Sequence, residues 1–339
     1  MEYKNKNVVI SPLSAYQVLG LTSNGAKGRT LQEMLSTLQN ASLEELNQIN
    51  TAIIKTIKKF TSLEIANAVM TKVSPTRSFI NAAHMYEATV ETLREVAQVN
   101  NWCNLKTHGK IKKIIEELDK DAIMVLLNAI YFKGTWYKEF NRDLTTKKIF
   151  YNFGDKKRGV KVDTMSITEK FNYYEDKSVQ IIELPYTKDS MSAYIILPDE
   201  TKDINRYIEE LTDEKLNILL KRMSTQTLVL ELPKFELEFS AELNKCLQKL
   251  GMLLAFGENA DFSALIPGGG AYISKVIQKS YLKVDEQGTE AASSTAVIIR
   301  KNGPVLSMLV DRPFLFLLKN GQLPADHNMI MMAKVSELK

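Results

Sequence analysis

Val284-Asp285-Glu286-Gln287-Gly288-Thr289-Glu290-Ala291-Ala292-Ser293-Ser294-Thr295-Ala296-Val297-Ile298-Ile299-Arg300-Lys301-Asn302-Gly303-Pro304 joins two strand-like runs, Tyr272 to Val284 and Val305 to Val310. By position it is a connection, yet it far exceeds the roughly two to six residues usual in compact domains, and connections of that length are usually functional. Its first half is almost entirely small. Gly288 gives backbone freedom, and Thr289, Ala291, Ser293 and Thr295 alternate with Glu290, Ala292, Ser294 and Ala296. With a strand's period of two, the first set could face a packed interior while Glu290 faces water, so this connection reads as one able to become a strand. The second half, Val297-Ile298-Ile299 and then Arg300-Lys301-Asn302 before Gly303-Pro304, is what a protease cleft would bind if extended and exposed. A plain surface loop is the competing reading.

Outward from this segment the chain reads as mixed. Ser11-Pro12 is an N-cap followed by a first-turn proline, opening a helix that Asn24-Gly25 closes. Thr30, three residues before Glu33, predicts a capping box for a helix through Leu38, and Leu43 to Phe60 continues as helix. Ile65 to Met70 and Val125 to Phe132 are short apolar runs expected to be buried strands, with helices at Arg94 to Leu105 and Ile111 to Leu118 between them. Further strands are expected at 180–186, 192–197, 227–232 and 314–318, and a helix at Ala241 to Leu250 ending at Gly251. There is no linker-like tract, repeat or low-complexity stretch. The expectation is a single domain over 1–339, α+β in class, with helices early and strands late.

Composition narrows the function. Across 339 residues, 45% are hydrophobic and 25% charged, as in an ordinary globular protein with a sizeable core, and 44 basic against 40 acidic residues leave +4. That bias is too weak to argue for nucleic acid or a membrane surface. The longest apolar stretch, Ala122 to Phe132, is far short of a bilayer span. The polar N-terminus contains no secretory signal, which predicts a cytoplasmic protein with a leaderless route for any extracellular role. Asn40-Ala41-Ser42 is a glycosylation triplet of a kind common by chance. Cys103 and Cys246 form no metal or disulfide framework; two free thiols are expected, with a single long-range disulfide the alternative. No cofactor or metal is expected. Catalytic motifs are missing: there is no G-x-S-x-G, H-E-x-x-H or phosphate loop. His84, His108 and His327 read as solvated surface histidines, and Glu116-Glu117 and Glu209-Glu210 as solvated helix faces. Lys55, Lys58 and Lys59 share overlapping helix faces; a solvated surface is the ordinary reading, and a weak glycosaminoglycan contact the alternative.

Matching segments in family order make the chain resemble a serpin along nearly its whole length. Asn7-Val8-Val9-Ile10-Ser11-Pro12-Leu13-Ser14 is similar to the shutter segment, and Gly25 to Thr30 to the turn after helix B. Leu127 to Trp136 resembles the sheet-A strand that ends in the breach tryptophan, and Leu232-Pro233-Lys234-Phe235 followed by Leu250-Gly251-Met252 a further landmark. Val284 to Ala292 matches the hinge signature, and Asp311-Arg312-Pro313-Phe314-Leu315-Phe316 the C-terminal one. Three departures stand out: helix A looks shortened or missing, Gln278 stands where many serpins carry a shutter histidine, and Ala333 replaces a usual glycine.

The resemblance implies helices packed on three β-sheets, with a large central sheet A and an exposed reactive-centre loop at about 286–304. It implies a monomeric suicide inhibitor, not an enzyme, whose partner is a trypsin-like or mixed-specificity chymotrypsin-fold serine protease. A cross-class inhibitor of papain-like proteases and a non-inhibitory carrier or chaperone are the alternatives. Its hinge would be Glu286, Gly288, Thr289, Glu290, Ala291, Ala292, Ser293, Ser294 and Thr295, and its shutter and breach Ser11, Ser14, Asn128, Trp136 and Gln278. Taking Glu286 as the seventeenth residue before the cleaved bond, or counting back eleven from Pro313, gives Asn302-Gly303. A trypsin-like pocket would favour Lys301-Asn302 instead.

Overall fold

Extended chain turns into helix at Ser11-Pro12 for a local reason. Proline at a first helical position sacrifices no hydrogen bond, and the Ser11 hydroxyl accepts from the Ser14 amide at 3.2 Å. The computed structural model describes residues 3–118, 122–288 and 306–339. Its helices are α1 Pro12–Ser23, α2 Gly28–Thr37, α3 Leu43–Ile57, α4 Arg77–Met85, α5 Val96–Lys106, α6 Ile204–Glu210, α7 Asp213–Lys221 and α8 Asn244–Lys249. Its strands are β1 Val8–Ile10, β2 Leu63–Thr71, β3 Thr89–Thr92, β4 Met124–Phe132, β5 Thr146–Tyr151, β6 Gly159–Glu175 and β7 Val179–Pro185. They continue with β8 Met191–Pro198, β9 Ser224–Pro233, β10 Phe235–Glu242, β11 Ile273–Val284, β12 Leu306–Leu309, β13 Phe314–Asn320 and β14 Met329–Val335.

A five-stranded sheet has the order β10-β11-β4-β2-β3, and a nine-stranded network the order β1-β14-β13-β8-β7-β6-β9-β12 with β5 on β6. Where three sheets were expected, the described residues form two hydrogen-bonded networks. The reason is β6, whose 17 residues pair with β5 at one end, β9 along the middle and β7 at the other end, so one strand ties together what would be two layers. The five-stranded sheet contains the strand that resembled part of sheet A. In it β4 and β11 are direct parallel neighbours over eight register pairs, among them Gln278 with Asn128 and Ser280 with Ile130.

The chain divides into two compact units, one of Ile10–Tyr131 and Glu238–Tyr281, the other of Met1–Val9, Phe132–Leu237 and Leu282–Lys339. In the first unit β4 is buried at every position. Met124 and Leu126 pack with Val69, Phe79 and Phe262 on one face, while Val125, Leu127 and Ala129 pack with Val99, Trp102 and Cys103 on the other. Burial on both faces explains why this strand is apolar throughout and does not alternate. In the second unit Ile181, Ile196 and Leu317 pack under Ile204, Tyr207, Leu216 and Leu219 of α6 and α7. Phe314 meets Phe150 and Phe235 edge-on.

Several local expectations are corrected. Ile111 to Leu118 is not helical. The Asn100 side chain accepts from the amides of Ile114 and Ile115 at 2.8 and 3.1 Å and donates to the Ile115 carbonyl at 3.0 Å, so it supplies what a helical turn would have. Thr30 caps nothing: α2 starts before it, and its hydroxyl accepts from the Asp261 amide at 3.0 Å, while Glu33 accepts from the amides of Leu253 and Leu254. The helix expected from Ala241 begins at Asn244 because β10 runs to Glu242; Gly251, at φ +104°, follows its end as read. His327 is not a solvated histidine, its side chain being 14% exposed and set against Asp326 at 3.0 Å. Both cysteines are free; burial pushes the Cys103 thiol up to about 12, leaving it inert as a nucleophile.

Candidate functional site

Among the described residues, Ser11, Ser14, Asn128 and Gln278 form one cluster and Trp136, Glu286 and Gly288 another, one in each unit. The first is polar and lies across β4 and β11. Gln278, 1% exposed, accepts from the Ser11 amide at 2.7 Å and donates to the Ser11 carbonyl and to Asn128 Oδ1, both at 2.9 Å. Ser14 Oγ donates to the same Asn128 oxygen at 2.5 Å, and Asn128 Nδ2 donates to Asn67 Oδ1 at 2.7 Å. These groups are buried, so each bond spares a desolvated polar atom an uncompensated cost. Since Gln278 and Asn128 are register partners on adjacent strands, their side-chain bond clasps the seam between β4 and β11 in addition to the backbone ladder. None of Ser11, Ser14, Asn128 and Gln278 titrates near neutral pH.

The second cluster surrounds the end of β11. Asp285 and Gly288 exchange backbone hydrogen bonds at 2.9 and 3.2 Å, closing a tight reversal with Glu286 and Gln287 at its tip. Gly288 is also bridged to Thr135 on the segment after β4, where the Trp136 amide donates to the Gln287 carbonyl at 3.0 Å and the Trp136 indole to the Asp285 carbonyl at 3.0 Å. Trp136 is 2% exposed and stacks on Tyr186 at 4.3 Å. Only glycine fits at 288: φ is +131°, and a Cβ would run into the Gly134 carbonyl oxygen and lie 2.8 Å from the Trp136 amide nitrogen.

Glu286, 4% exposed, holds the same turn through its side chain. One carboxylate oxygen accepts from Lys234 Nζ at 2.9 Å, the other from the Thr145 hydroxyl at 2.8 Å, and its carbonyl accepts from the Phe140 amide at 2.8 Å. Burial alone would push its pKa up. Hydrogen bonds from Lys234, its own backbone amide and Thr145, with the Lys234 charge, outweigh burial and hold the carboxyl below its ordinary value.

Thr289, Glu290, Ala291, Ala292, Ser293, Ser294 and Thr295, like Lys301, Asn302 and Gly303, lie outside the described residues. Residue-by-residue reading missed Lys234, Thr145, Tyr186 and Asn67. Lys234 had a signal, since it sits inside the quoted Leu232-Pro233-Lys234-Phe235; the others are brought in only by the fold. Of the lysine group, Lys58 is ion-paired with Glu87 and so is not a free cation for a polyanion.

Comparison with known proteins agrees with this geometry. Residues 1–337 match the family described as Serpin (serine protease inhibitor). An uncharacterized serpin-like protein of Methanosarcina acetivorans is 34% identical, covering 94% of this chain and 78% of its own. A leukocyte elastase inhibitor of Xenopus laevis is 31% identical, with 93% and 89% covered. The native-state crystal structure of the thermophilic serpin tengpin superposes with a TM-score of 0.88 at 31% identity, covering 99% of this chain and 91% of that one. A family match over residues 1–337, with relatives above 30% identity along nearly the full chain, means that this chain belongs to the serpin family.

Proposed function

We propose that this serpin is a suicide-type inhibitor of serine proteases. The protease serine attacks the carbonyl carbon of Asn302, or of Lys301 for a trypsin-like enzyme. The peptide nitrogen of the next residue leaves with a proton, and an ester joins protease to loop. The freed loop then enters the seam between β4 and β11 before water can hydrolyse the ester.

The observation that carries this reading is Gly288, hydrogen-bonded to Asp285 at the end of β11 and bridged to Thr135 after β4. Chain leaving β11 has already reversed direction, so a strand continuing from Gly288 would run antiparallel to β11. Because β4 is parallel to β11, it would run antiparallel to β4 as well. One parallel ladder would be exchanged for two antiparallel ones, a gain in backbone pairing, and antiparallel pairing is slightly the more stable per residue. About 14 inserted residues at roughly 3.3 Å each would carry the protease at least ~45 Å, enough to distort its active site. The alternating small residues from Thr289 to Thr295 suit such burial, and in this account Gln278, Asn128, Ser11 and Ser14 form the clasp that must open.

Incubating the full chain with trypsin-like and mixed-specificity chymotrypsin-fold enzymes tests the proposal. An SDS-stable complex is expected, with a released C-terminal fragment beginning at Gly303 or Asn302. Cleavage without complex across that panel overturns it, and complexes formed only with papain-like enzymes assign the cross-class reading instead.

A further inference from the structure

Ser280 is fully buried in β11, and its hydroxyl oxygen has no hydrogen-bond partner among the described residues. Its register partner on β4 is Ile130, whose side chain offers it none. A buried hydroxyl without a partner loses its water and gains no bond in return, so its presence in a native fold calls for an explanation. Gln278, two residues away on the same face of β11, is bonded to Ser11 and Asn128.

The bridges at Gly288 define what an entering strand would bring to Ser280. Gly288 pairs antiparallel with Asp285 on one side and with Thr135 on the other. In an antiparallel ladder continued without a bulge, each step forward from Gly288 meets one step back along its neighbour. Counted from Asp285, Leu282 meets Ala291, Ser280 meets Ser293 and Gln278 meets Thr295. Counted from Thr135, Phe132 meets Ala291, Ile130 meets Ser293 and Asn128 meets Thr295. The two counts agree, because Ser280 with Ile130 and Gln278 with Asn128 are the register pairs of the ladder that has to part. Burial and charge fit the same register. Leu282, Ser280, Gln278, Phe132, Ile130 and Asn128 are all buried, on the face that the small residues would join, whereas Glu290 would come between Lys133, which is exposed, and Lys283, which lies against Asp285 at 3.5 Å.

We infer that Ser280 is a positioning residue for the inserting strand: its hydroxyl is unpaired before insertion and is paired by the hydroxyl of Ser293 afterwards. Residues directly opposite on adjacent antiparallel strands have their Cβ atoms about 4.5–5.5 Å apart, within reach of a serine–serine hydrogen bond. The unpaired group destabilises the closed seam and the pair stabilises the filled one, so both effects drive insertion in the same direction. Thr295 arrives between Gln278 and Asn128 and replaces the bond that they lose on parting. A strand slipped by one residue would turn Glu290 into the buried face, so the pairing also fixes the register. This inference rests on the function proposed above and names a residue that drives it.

Two measurements on the full chain test it without a protease. Ser280→Ala should raise the urea midpoint of the first unfolding transition, because a methyl group in place of an unpaired hydroxyl needs no partner. A labelled synthetic peptide of residues 289–302 is then annealed to the chain and its dissociation followed. Ser293→Ala in the peptide should speed dissociation from the wild type about fivefold, the worth of one hydrogen bond of ~1 kcal/mol, and should have no effect on dissociation from Ser280→Ala. Ser294→Ala in the peptide, on the opposite face, should leave the rates from both chains unchanged. A midpoint lowered or unchanged by Ser280→Ala, or equal acceleration by Ser293→Ala from both chains, overturns the pairing and leaves insertion standing. A peptide of wild-type sequence that fails to anneal overturns insertion itself, and the pairing with it.

Discussion

The pair of Glu286 and Lys234 is the most quantitative hold on the turn that follows β11. At 2.9 Å, two unit charges attract by about 1.4 kcal/mol in bulk water and by about 6 kcal/mol at an effective dielectric of ~20. Desolvation offsets part of this, because the Glu286 side chain is 6% exposed and that of Lys234 36%. A net coupling of ~2 kcal/mol follows, within the range of hydrogen bonds to charged groups. A double-mutant cycle of Glu286→Gln and Lys234→Met, read from urea midpoints of the first unfolding transition at neutral pH, should return it. The pH dependence has a definite sign. Glu286 has a depressed folded pKa, so its contribution is fully present above the unfolded value of ~4.3 and is lost as the pH falls through the lower folded value. The gap between wild type and Glu286→Gln should therefore close on acidification and stay constant between about pH 6 and 8. A coupling below ~0.5 kcal/mol, as for an ordinary surface pair, or a gap that widens in acid, refutes the reasoning.

Three other outcomes are expected. Gly288→Ala should cost at least ~1–3 kcal/mol from backbone strain alone, with more from the collision with Gly134, and should speed exchange of the Trp136 amide, which donates to the Gln287 carbonyl; a neutral effect on the urea midpoint would contradict the φ of +131° at this position. Gln278→His should give the sheet-opening rate, followed by annealing of a synthetic loop peptide, a pH dependence between about pH 5 and 8 that the wild type lacks. Thr289→Arg should turn an inhibitor into a substrate, because a guanidinium at an inward position of an inserted strand would be buried without a partner; trapping at wild-type efficiency would exclude insertion beginning at this residue.

What the sequence revealed, and what it hid, has a physical pattern. β4 was legible because burial on both faces makes Met124 to Phe132 uniformly apolar, and α1 because Ser11-Pro12 encodes its own start. The 17-residue β6 was missed because its run of Lys, Asp, Thr and Glu is half exposed and carries no sustained apolar signal. Ile111, Ile114, Ile115 and Leu118 have helical spacing, yet their burial is set by packing on β4 while Asn100 takes the amides. Thr30 shows the same limit, since its partner Asp261 lies 231 residues away. The clasp residues Ser11, Ser14, Asn128 and Gln278 could be named from motif resemblance and the structure brings them together. Their link to Asn67, and the hold of Lys234 and Thr145 on Glu286, depend on contacts between distant segments that no local pattern announces.

The central claim is that β4 and β11 must part for a protease to be trapped. Ile130 and Ser280 are register partners on these strands and both are fully buried, so the pair Ile130→Cys and Ser280→Cys, in a Cys246→Ser background, places two thiols where adjacent strands allow a disulfide. With the disulfide formed, the chain should be cleaved in its loop without yielding an SDS-stable complex, and reduction should restore trapping of the same protease. Trapping that is equally efficient with the two strands covalently joined would contradict the account.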